Sequence, residues 1–393
     1  MMKKKIAFIN QRYGKEVLGG SETYTRKVAE EIAKTGEFEV EILTSRALDF
    51  KTWADYYGDD IETVNGVTIR RFSVAHERDR LTQRTLGILM HNFGVHKKSL
   101  EEKRLIARGP FVPGLVEYIK EHKDEYYAYV FVTYMYYPAY FGAKEVYDKA
   151  FFVPTAHDEE PIYMDIFNEL FNSVRGIIYL TDEEKAFVNR QFQNEKVPSI
   201  VNGMGIDIPE EDNSKEFCKK NELPEKYVIY CGRIEEGKGC KMLAEYIQKF
   251  NAENSEKIGL VLTGKGNMSI PEDENIKYLG FVSEEDKFSA MKGASAICLP
   301  SEFESFSITL LEGMACKKPA IVNAKSDVLK GHIEKSNGGT AFENYDEFAD
   351  ALKKLSDEKY VKETGEKAYE YVMKNYSNEK VTEKFADFIK SNI

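Results

Sequence analysis

Positive charge is in short supply in this chain: 55 Lys and Arg stand against 66 Asp and Glu, a formal net charge of −11 over 393 residues. Without a local basic stripe an acidic surface does not attract a phosphate polymer, which excludes general nucleic-acid binding and leaves small anions open. Cysteine is scarce and unpaired in pattern. The five (Cys218, Cys231, Cys240, Cys298, Cys316) include no C-x-x-C spacing, and Cys231, Cys298 and Cys316 sit in apolar settings, so the pattern fits a reducing cytoplasm rather than a disulfide framework. The six histidines show no metal-ligand spacing. Long apolar runs are missing as well: Ile6-Ala7-Phe8-Ile9 is cut off at Asn10, and the uncharged stretch Tyr126 to Ala143 carries seven tyrosines and Pro138, the pattern of a strand, a loop and a helix start rather than a span. No Gly-x-Ser-x-Gly elbow, Walker lysine loop or complete dinucleotide fingerprint is present, and no short-period repeat.

What is present is alternation. Hydrophobic residues make up 42% and charged residues 31%, the balance of a globular chain, and 393 residues exceed one ordinary core. Short apolar runs at Lys4 to Asn10, Glu37 to Thr44, Tyr127 to Thr133, Phe151 to Thr155, Gly176 to Leu180 and Ser199 to Val201 are separated by helical stretches such as Ser21 to Lys34. The polar stretch Pro209 to Lys226 reads as a linker, after which the rhythm restarts at Tyr227 to Cys231, Ile258 to Thr263, Ile276 to Gly280, Ala296 to Leu299 and Ala320 to Val322. This βαβ pattern predicts an α/β chain of two Rossmann-like, doubly wound domains, 1–205 and 206–375, with a last helix over 376–393 packing back on the first; ligands of such sheets bind at the carboxyl edges of the strands.

Chemistry concentrates in the strand-to-helix loops. In Ser301 to Val322, Glu304 and Glu312 stand eight positions apart. Ser305 and Ser307 are N-cap residue types, so Glu304 is expected just outside a helix running to Cys316 and Glu312 one to two turns inside it, about 7–8 Å further along the axis. A helix start between two acceptors suits a diphosphate with hydroxyls on either side, the layout of a nucleotide sugar. Arg233 and Lys238, five positions apart after the strand Tyr227 to Cys231, offer a fork and a point charge to one anion. Gly19 and Gly20 precede the first helix and allow close backbone approach. His157 follows the strand Phe151 to Thr155. Gly264 and Phe281 lie in two further loops after strands.

These segments together resemble the family-four retaining glycosyltransferases of the GT-B fold, with the resemblance running from about Lys4 to Ile389. It implies two domains facing each other across a cleft, and a metal-independent hexosyltransferase that uses a nucleoside diphosphate sugar, UDP- or GDP-linked, as co-substrate and needs no cofactor. It implies that Glu304 contacts the transferred sugar, that Glu312 holds the ribose hydroxyls, that Arg233 and Lys238 clamp the diphosphate, and that His157 touches an outer hydroxyl of the sugar. Gly19 and Gly20 would face the diphosphate, Ser305, Phe306 and Ser307 would line the donor pocket at the helix start, and Gly264 and Phe281 would belong to the loops reading the nucleotide. The chain departs from the pattern at Ser307, where the family commonly has glycine, and at Asn378, where an aromatic is usual.

Rivals remain at this stage: a glycoside hydrolase, a nucleotide-sugar epimerase of similar architecture, and a silent sugar-nucleotide-binding subunit. From Val67 to Pro110 ten Arg or Lys face four acids, with the apolar Gly87-Ile88-Leu89-Met90 among them. That reversal of the overall charge suggests an anionic glycan or lipid-linked acceptor, in polysaccharide or glycolipid synthesis, and a protein that is cytoplasmic with the inner face of the cell membrane as its limit.

Overall fold

The computed structural model describes residues 4–17, 19–58, 61–266 and 268–393. The chain divides into two units, Met1–Gly205 with Glu379–Ile393, and Ile206–Asn378. Each is built on a largely parallel sheet, and the fold is GT-B.

In the first unit eight strands form one sheet: β1 (Lys4–Ile9), β2 (Phe38–Ser45), β3 (Ile61–Val64), β4 (Val67–Phe72), β5 (Ala128–Val132), β6 (Ala150–Val153), β7 (Gly176–Tyr179) and β8 (Ser199–Val201). Their order is β3-β4-β2-β1-β5-β6-β7-β8. All neighbours are parallel except β3, which pairs antiparallel with β4 through Asn65-Gly66, both at positive φ (51° and 80°). That dipeptide is the commonest two-residue hairpin turn because its backbone twist matches the strands. Central strands such as β5 and β6 are wholly buried, as sheets covered by helices on both faces require. Tyr126 to Ala143 resolves into the end of a loop, β5 and the helix Tyr137–Lys144. The last helix, Asn378–Asn392, docks through Phe385, stacked on Phe8 at 5.7 Å, and Phe388, edge-on to Phe151 at 5.7 Å.

The second unit holds β9 (Tyr227–Cys231), β10 (Gly259–Thr263), β11 (Ile276–Tyr278), β12 (Ala296–Leu299), β13 (Ala320–Asn323) and β14 (Gly339–Phe342), all parallel, in the order β11-β10-β9-β12-β13-β14. Two sequence expectations are corrected here. Pro209 to Lys226 is not an open linker: it contains the helix Ser214–Lys220, seated by buried Phe217 and by Lys292, whose ammonium donates to the Pro209 and Glu211 carbonyls. The long helical segment expected from Tyr345 to Lys374 is two helices, Tyr345–Lys353 and Glu358–Asn375, separated by a 3-10 turn and restarted by Asp357, whose carboxylate caps the Lys359 and Tyr360 amides. At Asn378 the side-chain amide donates to both carboxylate oxygens of Asp207 (2.7 and 2.6 Å), a polar tie where an aromatic was expected.

Candidate active site

The strand order locates the site in the second unit. From β9 the chain moves outward to β10 and β11, then returns to β12 on the opposite side of β9, so the loops leaving β9 and β12 rise side by side at the carboxyl edge. Such a switch point is where open α/β sheets bind ligands. The two loops touch. Gly239 sits at φ 73°, and a Cβ there would stand 2.7 Å from the Pro300 carbonyl oxygen, so only glycine permits the approach.

Across that contact the Lys238 ammonium pairs with Glu304 Oε1 at 2.9 Å, and Ser301 Oγ donates to the same oxygen at 2.7 Å. Arg233 does not join them: its guanidinium is 58% exposed and pairs with Glu235 at 2.9 Å. The expected convergence of the two cations is therefore not formed in this structure; Lys238 is held on Glu304, and Arg233 is turned to solvent and held on Glu235.

Glu304 lies in the loop and Glu312 in the helix Ile308–Ala315. Glu312 is buried, and both of its oxygens accept from the Lys287 ammonium at 3.0 and 2.9 Å. Burial alone would lower Lys287, but Glu312 and Glu284 beside it outweigh that and hold it above the ordinary lysine range. Sequence reading missed Lys287. Its only signal is a lysine in the first turn of the helix Glu284–Gly293, directly after the loop that contains Phe281.

The capping expectation is corrected. Ser307 occupies the N-cap position at φ 61°, a left-handed conformation, and its hydroxyl caps nothing; Oγ is buried without a hydrogen-bond partner. Phe306 turns its ring into the core, edge-on to Tyr376 at 5.4 Å, while its carbonyl oxygen lies 3.1 Å from Nε2 of buried His332. Phe306 thus offers a ligand backbone only, and His332, unread in the sequence, fixes that backbone from the helix Asp327–Ser336. Ser305, between Glu304 and Phe306, is partly exposed. After β10 and β11, the Gly264 amide donates to Gly280 at 2.8 Å and its carbonyl accepts from Tyr278 at 2.8 Å. Phe281 is 56% exposed, with the Lys265 ammonium 4.7 Å from its ring centroid.

In the first unit, Gly20 opens the helix Gly20–Lys34 and Gly19 precedes it. The helix start already faces a carboxylate: buried Glu22 accepts from Arg12 and from Gln11. His157 follows β6, with Nε2 3.8 Å from Glu159 Oε1, which in turn accepts from Tyr134. The segment before it is held from beneath by Glu184, fully buried, whose two oxygens accept the Ala156 and Leu180 amides at 2.6 Å each. Burial pushes the Glu184 carboxyl up to about 8 against the downward pull of those amides. The sequence showed no metal spacing, yet the structure gathers His96, Glu101 and Asp165 with ligand atoms within 4.8 Å. Both Glu101 oxygens are in use there, one at His96 Nδ1 and one on the Ile166 amide at the start of the helix Ile166–Ser173, which accounts for the cluster as a cap.

Residues 212–374 match the family model described as glycosyl transferases group 1. The match spans nearly the whole of the second unit. Among curated proteins, an uncharacterized glycosyltransferase of Methanocaldococcus jannaschii is 28% identical over 123 residues, 29% of this chain and 31% of its own length. Among solved structures, sucrose-phosphate synthase from Thermosynechococcus elongatus superposes with a TM-score of 0.75 at 16% identity, covering 99% of both chains. The Anabaena protein HepE in complex with UDP-glucose gives 0.68 at 13% identity, covering 99% of this chain and 100% of that one. At these identities the structures speak for the fold, and for GT-B in particular.

Proposed function

We propose that the protein is a retaining glycosyltransferase that moves a sugar from a nucleoside diphosphate donor to an acceptor hydroxyl. The observation that carries this reading is the Lys238–Glu304 pair at the switch point, with Glu312 in the helix that follows. Lys238 supplies a fixed cation beside the place a diphosphate would take at the start of the helix Ile308–Ala315, and Arg233, exposed and paired with Glu235, exchanges that partner for the phosphates when they arrive. Glu304 then accepts from hydroxyls of the transferred sugar and Glu312 from those of the ribose. Catalysis is mainly positioning and stabilisation of the departing diphosphate by these cations and the helix terminus, without a metal.

The hydrolase rival is disfavoured because two facing carboxyls about 5–5.5 Å apart are what retaining hydrolysis needs. Here Glu304 and Glu312 are bound to different lysines, one in a loop and one inside a helix. Uridine is the first base to try, since the neighbour HepE carries UDP-glucose. No helix among the described residues is long and apolar enough to cross a membrane. We place the protein in the cytoplasm, up to the inner face of the membrane, in surface polysaccharide or glycolipid synthesis.

The test is a panel of UDP- and GDP-sugars scored for nucleoside diphosphate release with and without candidate acceptors. Acceptor-dependent release that survives excess chelator, with retained anomeric configuration, is expected. Conversion of the nucleotide sugar without any acceptor would make the protein an epimerase, and binding without turnover would make it a silent subunit.

A further inference from the structure

The first unit contains a cleft of about 820 Å³ that none of the donor chemistry uses. Its walls come from segments that follow β2, β4 and β6, so it opens on the carboxyl edge of the sheet, the same edge from which His157 projects three residues before Glu160. Lys51, Arg78, Arg80, Arg84 and His91 line it, and the one acid among its lining residues is Glu160. That acid is already matched: Arg104 grips both of its oxygens, at 2.5 and 2.6 Å.

The remaining cations are gathered without carboxylates. Arg78 is aimed by Gln83 Oε1 at 3.0 Å and the Phe50 carbonyl at 3.1 Å, and Arg80 by the Lys51 carbonyl at 3.2 Å. Among the described residues no ion pair within 4.0 Å is formed by Arg78, Arg80 or Arg84. Burial above all, with Arg108 and Arg80 adding to it, holds Arg78 below the ordinary arginine range. Two of the acids near in sequence are spent on backbone: Asp49 accepts the Lys51 and Thr52 amides, and Asp79 caps the helix Arg80–Phe93 at Thr82. In a chain of net charge −11, holding several guanidinium groups together without acids costs stability unless an anion is to be bound there. Guanidinium forks suit a tetrahedral, multiply charged oxyanion better than a carboxylate. Beside the charges, Phe50 (40% exposed) and Ile88 (47%) give the cleft an apolar flank.

We propose that this cleft anchors the phosphate group of a phosphorylated acceptor, with Arg78 and Arg84 as its main cations and the Phe50–Ile88 flank against the body of the molecule. The acceptor role rests on the transferase reading; the phosphate site itself does not. The phosphate belongs either to a soluble sugar phosphate or to a lipid headgroup, and both present the same group to the arginines.

The experiment separates the two questions. Binding of glucose 6-phosphate and inorganic phosphate is measured by calorimetry, and binding to vesicles with and without phosphatidic acid, whose headgroup is the same phosphomonoester, by sedimentation, on the full chain and on Arg78→Gln and Arg84→Gln. Arg84 is exposed on a helix surface, so its substitution tests the site even if the half-buried Arg78 variant folds poorly. UDP binding is the control for the second unit. The expected result is binding of the soluble phosphates, of the anionic vesicles or of both, weakened at least tenfold in each variant that folds, with UDP affinity unchanged; the probe that binds names the source. No binding of any probe, or equal binding by the variants, overturns the proposal. Phosphate binding that follows the arginines in a protein that transfers no sugar would instead leave the site standing and remove the function.

Discussion

The carboxyl edges of the two sheets are equipped in opposite ways. In the second unit the functional cations arrive already matched: Lys238 on Glu304, Lys287 on Glu312. In the first unit Arg78, Arg80 and Arg84 converge with no acid among them, and the buried acid Glu184 is met by two amides and no ammonium. A matched pair keeps each side chain in one geometry before the ligand comes, so the ligand meets a finished surface and displaces little. An unmatched cluster keeps its place by packing and backbone contacts, and it waits for the anion to complete it. Preorganisation of the first kind suits the group whose bond is broken; charge surplus of the second kind suits a handle that only needs to be held.

The sharpest way to break the comparison is to unmatch a pair in the second unit. Lys287→Met removes the ammonium from Glu312, whose side chain is 4% exposed, and should cost about 3–5 kcal/mol by taking the cation from a buried ion pair. Arg84→Gln in the first unit, where Arg84 has no ion pair among the described residues, should stay within about 0.5 kcal/mol. Denaturant unfolding of the two variants measures both. Similar losses would mean that the pairing is not what distinguishes the two edges.

Next comes catalysis. Arg233→Ala should lower kcat/KM for the donor by about 2–4 kcal/mol of transition-state stabilisation while leaving stability alone, because its side chain is 58% exposed and its ion pair is with the nearby Glu235. Glu312→Ala should weaken nucleoside diphosphates themselves, and Glu304→Ala only species that carry the sugar. Calorimetry with UDP and a UDP-sugar separates them; equal losses on UDP would remove the division of roles.

How much of this was legible beforehand differed between the edges for a physical reason. Glu304, Glu312, Lys238 and Arg233 sit within or just before helices that follow strands, where spacing along the chain maps onto position in space. Lys287 and His332 reach the site from other helices, and nothing local marks them. In the first unit the hairpin at Asn65-Gly66 carried its signal openly but was not read as strands, because β3 alternates exposed and half-buried residues and offers no apolar run. The helix Arg80–Phe93 was visible only as a charge excess, since Leu81, Ile88 and Phe93 are exposed and blur the period of its buried face. Ser307 was read as a cap from its residue type, and tertiary packing overrode that.

Glu184 tests whether amides replace an ammonium. Burial puts its folded-state value at about 8 against an ordinary 4.5, so between those values the folded protein holds a proton that the unfolded chain has released. Stability from this group is therefore fully present below about 4.5 and falls as the pH rises toward about 8, by up to ~1.4 kcal/mol per pH unit. Glu184→Gln should flatten that slope in unfolding experiments from pH 5 to pH 8. An unchanged slope would mean that the two amides balance the charge as well as Lys287 does for Glu312.

The smallest effect concerns the one strained residue of the second unit's site. Ser307 adopts φ 61°, a region that costs a residue with a Cβ about 1–2 kcal/mol and glycine almost nothing, and its hydroxyl is buried without a hydrogen-bond partner. Ser307→Gly removes both penalties and adds chain entropy to the unfolded state, which offsets part of the gain. A net stabilisation of about 1 kcal/mol is expected from denaturant midpoints. The same change should alter donor binding, because a serine retained at such a cost is explained if Oγ donates to a donor oxygen that completes it. If Ser307→Gly is more stable and binds every nucleotide sugar as the parent does, the hydroxyl has no part in the site; if it is less stable, the strain read from the backbone is relieved by a contact that the serine makes and glycine does not.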